Sequence, residues 1–443
     1  MSLKTLRRDF ANILLLVVGL IAFTGLFTRH VATQGAPGDV VANFGDVRQR
    51  IDGFGASDRQ HPALTDAQAD LFFSATNGIG LSILRASIDP NGNYTNGRYS
   101  NATKAAARGA VVWGAPWTPP AAWKDNGSLN NGGHLLPAYY DAWATLLANF
   151  ANVLQQNAGV PLYGVSVQNE PDWVASYNSA IYTNQEMVDF IKVLGPKLAA
   201  LTPRPKLISP DVSQWEGTFW GFANAIMADP VAASYTDILA THQYFVPVPT
   251  PHTIPPGKQL WQTEMSSFDG PRTDIANGIE VAKWVHTAVA GASASAWHYW
   301  WLIGMNNDNE GLLNPGGVLT KRLYTLGNFS KFIRPGFVRV GTSGGPSGVY
   351  ASAYKDPATN ALAIVAINDN GSSVPFGVTL NGLTAATVTP WVTSAAEDLA
   401  PHAPIAVSGG RFTTTLPAST VTTFVSDNAA APPSPPTNLR IIP

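Results

Sequence analysis

Two glutamates, Glu170 and Glu264, follow two apolar, β-prone runs, LYGVSVQNEPDW (162–173) and KQLWQTEMSSFDG (258–270), and stand 94 positions apart. The chain holds only seven glutamates, and an ionisable group at the end of a strand-like segment is costly to bury without a compensating partner. Cleavage of a glycosidic bond needs such a pair: one carboxylic acid protonates the leaving oxygen, and a second carboxylate attacks the sugar or activates water. Pro171 and Asp172 stop the first run at once and leave Glu170 in a loop mouth. The competing reading, a helix cap or a surface ion pair, fits the general preference of glutamate for the surface.

Other residues could serve this pair. Arg85 ends LSILR (81–85), where a fixed positive charge would keep a nucleophilic carboxylate ionised; a structural ion pair with Asp58 or Asp89 is the alternative. Tyr244, in THQY, could donate to Glu264. Trp117, Trp173, Trp300 and Trp301 fall at or just past strand-like ends and are candidates for stacking on the C–H faces of sugars. Trp113 and Trp297 lie deeper in their runs and read as core. His242 and His298 lack a third ligand at metal spacing, so neither a metal nor another cofactor is expected. Ser166, in GVSVQ, lacks the glycine that a serine nucleophile elbow requires.

The elements that must position these groups alternate. After a strand-like segment at 40–55, strand patterns at 78–88, 109–117, 162–169, 206–211, 237–244, 259–264 and 294–301 are interleaved with amphipathic stretches such as 137–156 and 184–200. That order predicts an α/β fold, a (β/α)8 TIM barrel over 51–326, with reactive groups at the C-terminal ends of the strands. The segment NNDNEGLLNPGG (306–317) carries Asp308 and Glu310 without the ligand alternation of a calcium loop, and reads as a loop at the barrel mouth. From 327 to 426 the runs become short, β-branched and divided by turn residues, which predicts an attached all-β sandwich side domain. Residues 35–50 are expected to supply a strand joining that side domain.

Both ends of the chain differ from the rest. Lys4, Arg7 and Arg8 precede an apolar stretch (10–28), so residues 1–34 read as a signal peptide or an N-terminal anchor, and the protein as secreted, extracellular or periplasmic. Residues 427–443 form a Pro-rich tail. A net charge of −2, 13% charged residues and no basic stripe argue against nucleic acid, and the absence of cysteine excludes disulfides, thiolate metal sites and a cysteine nucleophile. Thirteen tryptophans against five methionines fit a neutral polysaccharide or oligosaccharide partner. A monomer is expected, with no membrane partner beyond the N-terminal anchor.

Several motifs carry a resemblance. IDGFGASD, LSILR, APWTPP, VQNEP, WQTE, NFSKFIRPGFVRV and VTTFV, in that order over about 40–425, resemble glycoside hydrolase family 30, and within it the bacterial endo-xylanase branch that includes glucuronoxylanases. The resemblance implies a retaining mechanism with Glu170 as general acid/base and Glu264 as nucleophile. It also implies that Asn169 hydrogen-bonds the sugar 2-hydroxyl, although a strand-terminating Asn is the plainer reading. In glucuronate-dependent members the segment after the eighth-strand tryptophans carries an arginine for the uronate. Here Met305 and Asn307 hold the aligned places, and Asp269 in MSSFDG is expected to repel a uronate. The expectation is therefore cleavage of β-1,4-xylan without dependence on glucuronic acid side groups. Another activity of the family, such as a β-1,6-glucanase or β-glucosidase, or a non-catalytic glycan-binding protein, remains the alternative.

Overall fold

The computed structural model describes residues 36–426 except 37, 60–62, 247–248 and 252; the leader and the Pro-rich tail lie outside the described residues. The segment at 40–55 is two strands in two different sheets, β1 (Val40–Arg50) and β2 (Gly53–Ser57), because the chain turns at Ile51 and Asp52. Then come β3 (Ile83–Ile88), β4 (Val111–Pro116), β5 (Leu162–Ser166), β6 (Lys206–Gln214), β7 (Thr236–Tyr244), β8 (Gln259–Gln262) and β9 (Ala296–Ile303). From β2 to β9 each strand pairs in parallel with the next, and β9 closes the barrel on β2. A short β10 (Gly311–Leu313) adds beside the C-terminal half of β9.

Eight helices accompany these strands among the described residues: α1 (Asp66–Phe73), α2 (Tyr99–Ala106), α3 (Tyr140–Ala158), α4 (Asn184–Ala199), α5 (Thr218–Ala228), α6 (Pro230–Tyr235), α7 (Ile275–His286) and α8 (Lys321–Ser330). Local sequence fixes their ends. Thr65 with Gln68 and Thr183 with Glu186 form capping boxes that satisfy the first free amides of α1 and α4. Gly159, at φ 67°, ends α3 in the left-handed region that glycine enters freely. Ile83, Trp113, Ile208, Ile238 and Trp261 fill the barrel interior, and the helices bury their apolar faces outside it.

The remaining strands are β11 (Val338–Gly344), β12 (Val349–Lys355), β13 (Leu362–Asn368), β14 (Val374–Asn381), β15 (Thr387–Thr393), β16 (Ala400–Pro401), β17 (Ile405–Ala406), β18 (Arg411–Leu416) and β19 (Thr420–Ser426). With β1 they form one sheet in the order β16-β15-β19-β13-β12-β11-β1-β14-β18, and β17 pairs with β15. The sheet folds over its own core: Phe376 of β14 stacks on Phe424 of β19 at 5.8 Å although those strands are not neighbours. Strand β13 is buried on both faces. Leu362, Ile364 and Ala366 point into the sandwich, whereas Ala363, Val365 and Ile367 join the core that also contains the barrel helices. Asn328 of α8 ties the units further, donating from Nδ2 to the Trp391 carbonyl (3.0 Å) and to Thr423 Oγ1 (3.1 Å).

Candidate active site

Strands β5 and β8 stop short of the expected 169 and 264, so Glu170 and Glu264 both lie in loops at the C-terminal mouth of the barrel. Neighbouring strands hold these loops. The Asn169 amide donates to the Pro116 carbonyl (2.8 Å) and the Glu170 amide to the Asp211 carbonyl (2.9 Å). Three non-glycine residues of the mouth, Glu170 (φ 48°), Asp211 (φ 65°) and Phe245 (φ 63°), adopt left-handed backbone. Side chains disfavour that region, and such strain gathers where surrounding structure enforces a functional geometry.

The two glutamates face each other: with His242 they present three atoms that lie within 4.8 Å of one another. Oε2 of Glu264 accepts from Nη1 of Arg85, and its Oε1 accepts from the Tyr244 hydroxyl at 3.2 Å. Oε1 of Glu170 stands 3.1 Å from Nδ1 of His242, while its Oε2 is 3.3 Å from the Tyr177 hydroxyl and 3.4 Å from Asn169 Nδ2. Arg85, fully buried on β3, also donates from Nη2 to Asn169 Oδ1 at 2.5 Å and approaches Asp211 Oδ2 at 3.4 Å. Its partners are thus Glu264, Asn169 and Asp211. Asp58 is instead held by Tyr94 and Asn101, and Asp89 accepts amides of its own loop.

A buried charge network results. Burial would push Asp211 up, but Arg85, His242 and the Thr263 hydroxyl outweigh it and hold the carboxyl well below the usual carboxylate range. Burial would push His242 down. The charge of Glu264 and hydrogen bonds to Asp211 and Glu170 overcome that penalty and raise the imidazole to about 10. Glu264 is driven upward by burial and by the charge of Glu170, while His242 and Arg85 pull it back toward the ionised form. Glu170, His242 and Glu264 could geometrically hold a cation, but one placed there would stand against the Arg85 guanidinium. His298, buried among Trp113, Trp261 and Gln262, takes no part in that cluster; burial pushes it down to about 3.

Above this floor opens a cleft of about 410 Å³. Of the residues expected from sequence, Glu170, Glu264, Trp117, Trp173, Tyr244, Trp300 and Trp301 line it, while Asn169 and Arg85 do not. Arg85 lies beneath the floor, so it acts on Glu264 and Asn169 and not as part of the cleft wall. Trp113 and Trp297 are fully buried, as expected of core residues. Trp300 and Trp301 are adjacent in sequence and would ordinarily point to opposite faces of a strand. Both reach the mouth because β9 bulges there: Ala56 pairs with Tyr299, but the next residue, Ser57, pairs with Trp301.

Several cleft residues carried no sequence signal that singled them out: Arg59, Tyr177, Ser213, Phe245, Phe268 and Asn306. Arg59, just past β2, lays its guanidinium 3.7 Å over the Trp117 ring, and its buried Nη1 has no hydrogen-bond partner among the described residues. Asp269, expected to repel a uronate, is exposed and does not line the cleft; its carbonyl accepts from Asn309. The acid that does face the cleft from this side is Glu310, beside Asn306, whose Nδ2 donates to it at 2.6 Å. Burial and the neighbouring Asp308 raise Glu310 to about 7 against the opposing Asn306 bond.

A closed parallel barrel with two facing carboxyls at its C-terminal mouth, walled by tryptophans, is an arrangement suited to glycoside hydrolysis. Residues 95–263 match the model of the glycosyl hydrolase family 30 TIM-barrel domain, and residues 336–424 that of the family 30 beta sandwich domain. Glucuronoxylanase XynC of Bacillus subtilis (strain 168) is 34% identical over 408 residues, which cover 88% of this chain and 92% of that protein. Among solved structures, the family 30 subfamily 8 xylanase Xyn30A of Clostridium acetobutylicum superposes with a TM-score of 0.78 at 34% identity, covering 88% of this chain and 99% of the other. The catalytic domain of xylanase C from Talaromyces cellulolyticus gives 0.78 at 26% identity with the same coverage. The chain belongs to glycosyl hydrolase family 30 and is an enzyme, a glycoside hydrolase.

Proposed function

We propose that the protein cleaves β-1,4-xylan by a retaining, two-glutamate double displacement that does not depend on glucuronic acid side groups. The observation that carries the mechanism is the approach of Glu170 and Glu264 oxygens to within 4.8 Å. Retaining enzymes hold their carboxyls about 5–5.5 Å apart, whereas inverting ones need about 6.5–9.5 Å to admit a water. Glu264, oriented by Arg85 and Tyr244, attacks the anomeric carbon while Glu170 protonates the leaving oxygen. The ester to Glu264 is then opened by water, whose proton returns to Glu170. Asn169, held at Oδ1 by Arg85 with its Nδ2 3.4 Å from Glu170 Oε2, is the residue we assign to the sugar 2-hydroxyl beside the reacting carbon.

The substrate reading rests on the similarity to xylanases and on the wall after Trp301, which contributes Asn306 and Glu310 and no arginine. A polysaccharide substrate also accords with export, which we infer from the basic and apolar leader. Hydrolysis of glucuronoxylan, arabinoxylan and linear xylooligosaccharides, compared by kcat/KM and product length, tests this. Comparable turnover of all three supports the reading, whereas products spaced solely by glucuronate decorations contradict it.

A further inference from the structure

A second cavity lies away from the catalytic mouth. It encloses about 580 Å³, more than the cleft, and follows the seam between barrel and side domain. Ala276, Glu280, Lys283 and Thr287 line it from one face of α7 and the residue after it, while Tyr350 of β12 and Asp369 close it from the sandwich. At ~1.5 Å per residue this helical face is about 16 Å long. The large aromatic side chains exposed among the described residues are Trp173, Tyr177, Phe245, Phe268 and Tyr350. The first four line the cleft, and Tyr350 lines this groove.

Strand alternation places Tyr350 there. Val349, Ala351 and Ala353 of β12 pack into the sandwich core, so Tyr350 and Tyr354 share the face toward the barrel. Tyr354 is fully buried, whereas Tyr350 stays 36% exposed, because the seam opens at its end of the strand. His286 meets the Tyr350 ring edge-on at 5.8 Å, and the Lys283 ammonium stands 5.5 Å from its centroid, so the ring is held in place. The charges of the groove cancel. Lys283 donates to Asp369 at 2.6 Å, and Arg272 lies 3.5 Å from Glu280. An ionic ligand would have to break such a pair, whereas a neutral chain of hydroxyl groups meets donors and acceptors together with an aromatic surface.

The groove is also continuous with the cleft. The loop that brings Phe268 to the cleft wall reaches Arg272 of the groove four residues later, so at most ~14 Å separates them at ~3.6 Å per residue. The Arg272 amide donates to Asn309 Oδ1 at 2.7 Å, next to Glu310 of the cleft.

Resting on the xylan reading for the identity of the ligand, we propose that this groove is a second, non-catalytic glycan site that holds a neutral stretch of the polysaccharide. Tyr350 packs against a sugar ring, and Lys283, Asp369, Glu280 and Arg272 meet its hydroxyls. A chain long enough to touch cleft and groove makes its second contact as an intramolecular event and gains affinity from it. A trisaccharide held in the cleft gains nothing.

The test measures binding in the Glu264→Gln background, where substrate is not consumed, with arabinoxylan and with xylotriose. Tyr350→Ala and Tyr350→Phe are compared with the parent, and thermal melts confirm that each variant folds. Tyr350→Ala should weaken arabinoxylan binding about 3- to 10-fold, as loss of one aromatic contact and its avidity would, and leave xylotriose binding unchanged. Tyr350→Phe, which keeps the ring, should restore the polymer affinity. Equal arabinoxylan binding by Tyr350→Ala and the parent overturns the proposal, as does a parallel loss for both ligands, which would place the effect in the cleft. A dimer of the parent that Tyr350→Ala dissolves would assign the groove to a second copy of the chain and overturn it too. A wild type that cleaves no xylan overturns the substrate reading instead, and with it the ligand named for the groove.

Discussion

His242 stands with Nδ1 3.1 Å from Oε1 of Glu170, and through its other nitrogen it faces Asp211 at 3.5 Å and Glu264 at 3.8 Å. One imidazole therefore meets both candidate catalytic carboxyls and the buried aspartate beneath them. Its positive charge offsets negative charge that the barrel interior would otherwise have to bury unpaired.

That arrangement has a pH signature. Charge from Glu264 and hydrogen bonds to Asp211 and Glu170 hold His242 at about 10 despite the opposing effect of burial, while an unfolded histidine titrates near ~6.5. The folded protein keeps a proton that the unfolded chain releases between those values. This stabilisation is fully present below ~6.5 and is lost as pH rises toward the folded value. The melting temperature of the wild type should therefore fall relative to that of His242→Gln from about pH 6.5 to about pH 9. Parallel curves for the two proteins would contradict the assignment.

Arg85 is expected to matter for both stability and turnover. Arg85→Met leaves Glu264 and Asp211 without their guanidinium, and removing one partner of a buried pair costs about 3–5 kcal/mol. Urea unfolding should show a loss of that order. Arg85→Lys keeps the charge but not the fork that spans Glu264 and Asn169, so it should recover part of the stability and little of kcat. Full activity in the lysine variant would show that charge alone suffices.

Glu310 should tune the response to charged substrates. Held at about 7, it is neutral in mild acid and negative in mild base. Preference for neutral xylooligosaccharides over uronate-bearing ones should therefore rise as pH increases from about 6 to about 8. Glu310→Gln should flatten that rise, improving kcat/KM on the charged substrate by roughly 2- to 10-fold at the higher pH, as an exposed to half-buried charge pair would. A preference that changes equally with pH in both proteins places the discrimination elsewhere, with Arg59 the first residue to examine.

Glu170 should behave as a proton donor whose loss depends on the leaving group. Glu170→Ala should lose about 10²–10⁴-fold on oligosaccharides, as removal of a general acid does. It should lose far less on substrates with acidic leaving groups, and added azide should yield a β-glycosyl azide. An equal loss on every substrate would remove Glu170 from the acid role.

Much of this site was legible because strand ends in a barrel converge: a charged residue just past an apolar run, as at Glu170 and Glu264, stands out against its neighbours, whereas Arg85 lies inside β3. The sequence pattern ends a strand at Asp211 and gives neither Asp211 nor His242, in KLISPD and THQY, a place beside the glutamates. Strand β6 in fact runs on to Gln214, through a shift in its pairing with β7. The tryptophan pair needed the β9 bulge, which no alternation pattern reveals. Tyr177, Phe245 and Phe268 sit in loops without periodicity, where position depends on long-range backbone contacts. Asp269 shows the converse: proximity to Glu264 in sequence suggested a role that an outward-turning loop does not allow.

The central claim is that Glu264 forms a covalent bond to the sugar. Incubation with a 2-deoxy-2-fluoro-β-xylobiosyl fluoride, followed by peptide mass spectrometry, reads this directly. The account predicts a fluoroglycosyl mass increment on the peptide containing Glu264, with no label in Glu264→Gln. A label on another residue, or turnover without any trapped species and with inverted anomeric products, would contradict it.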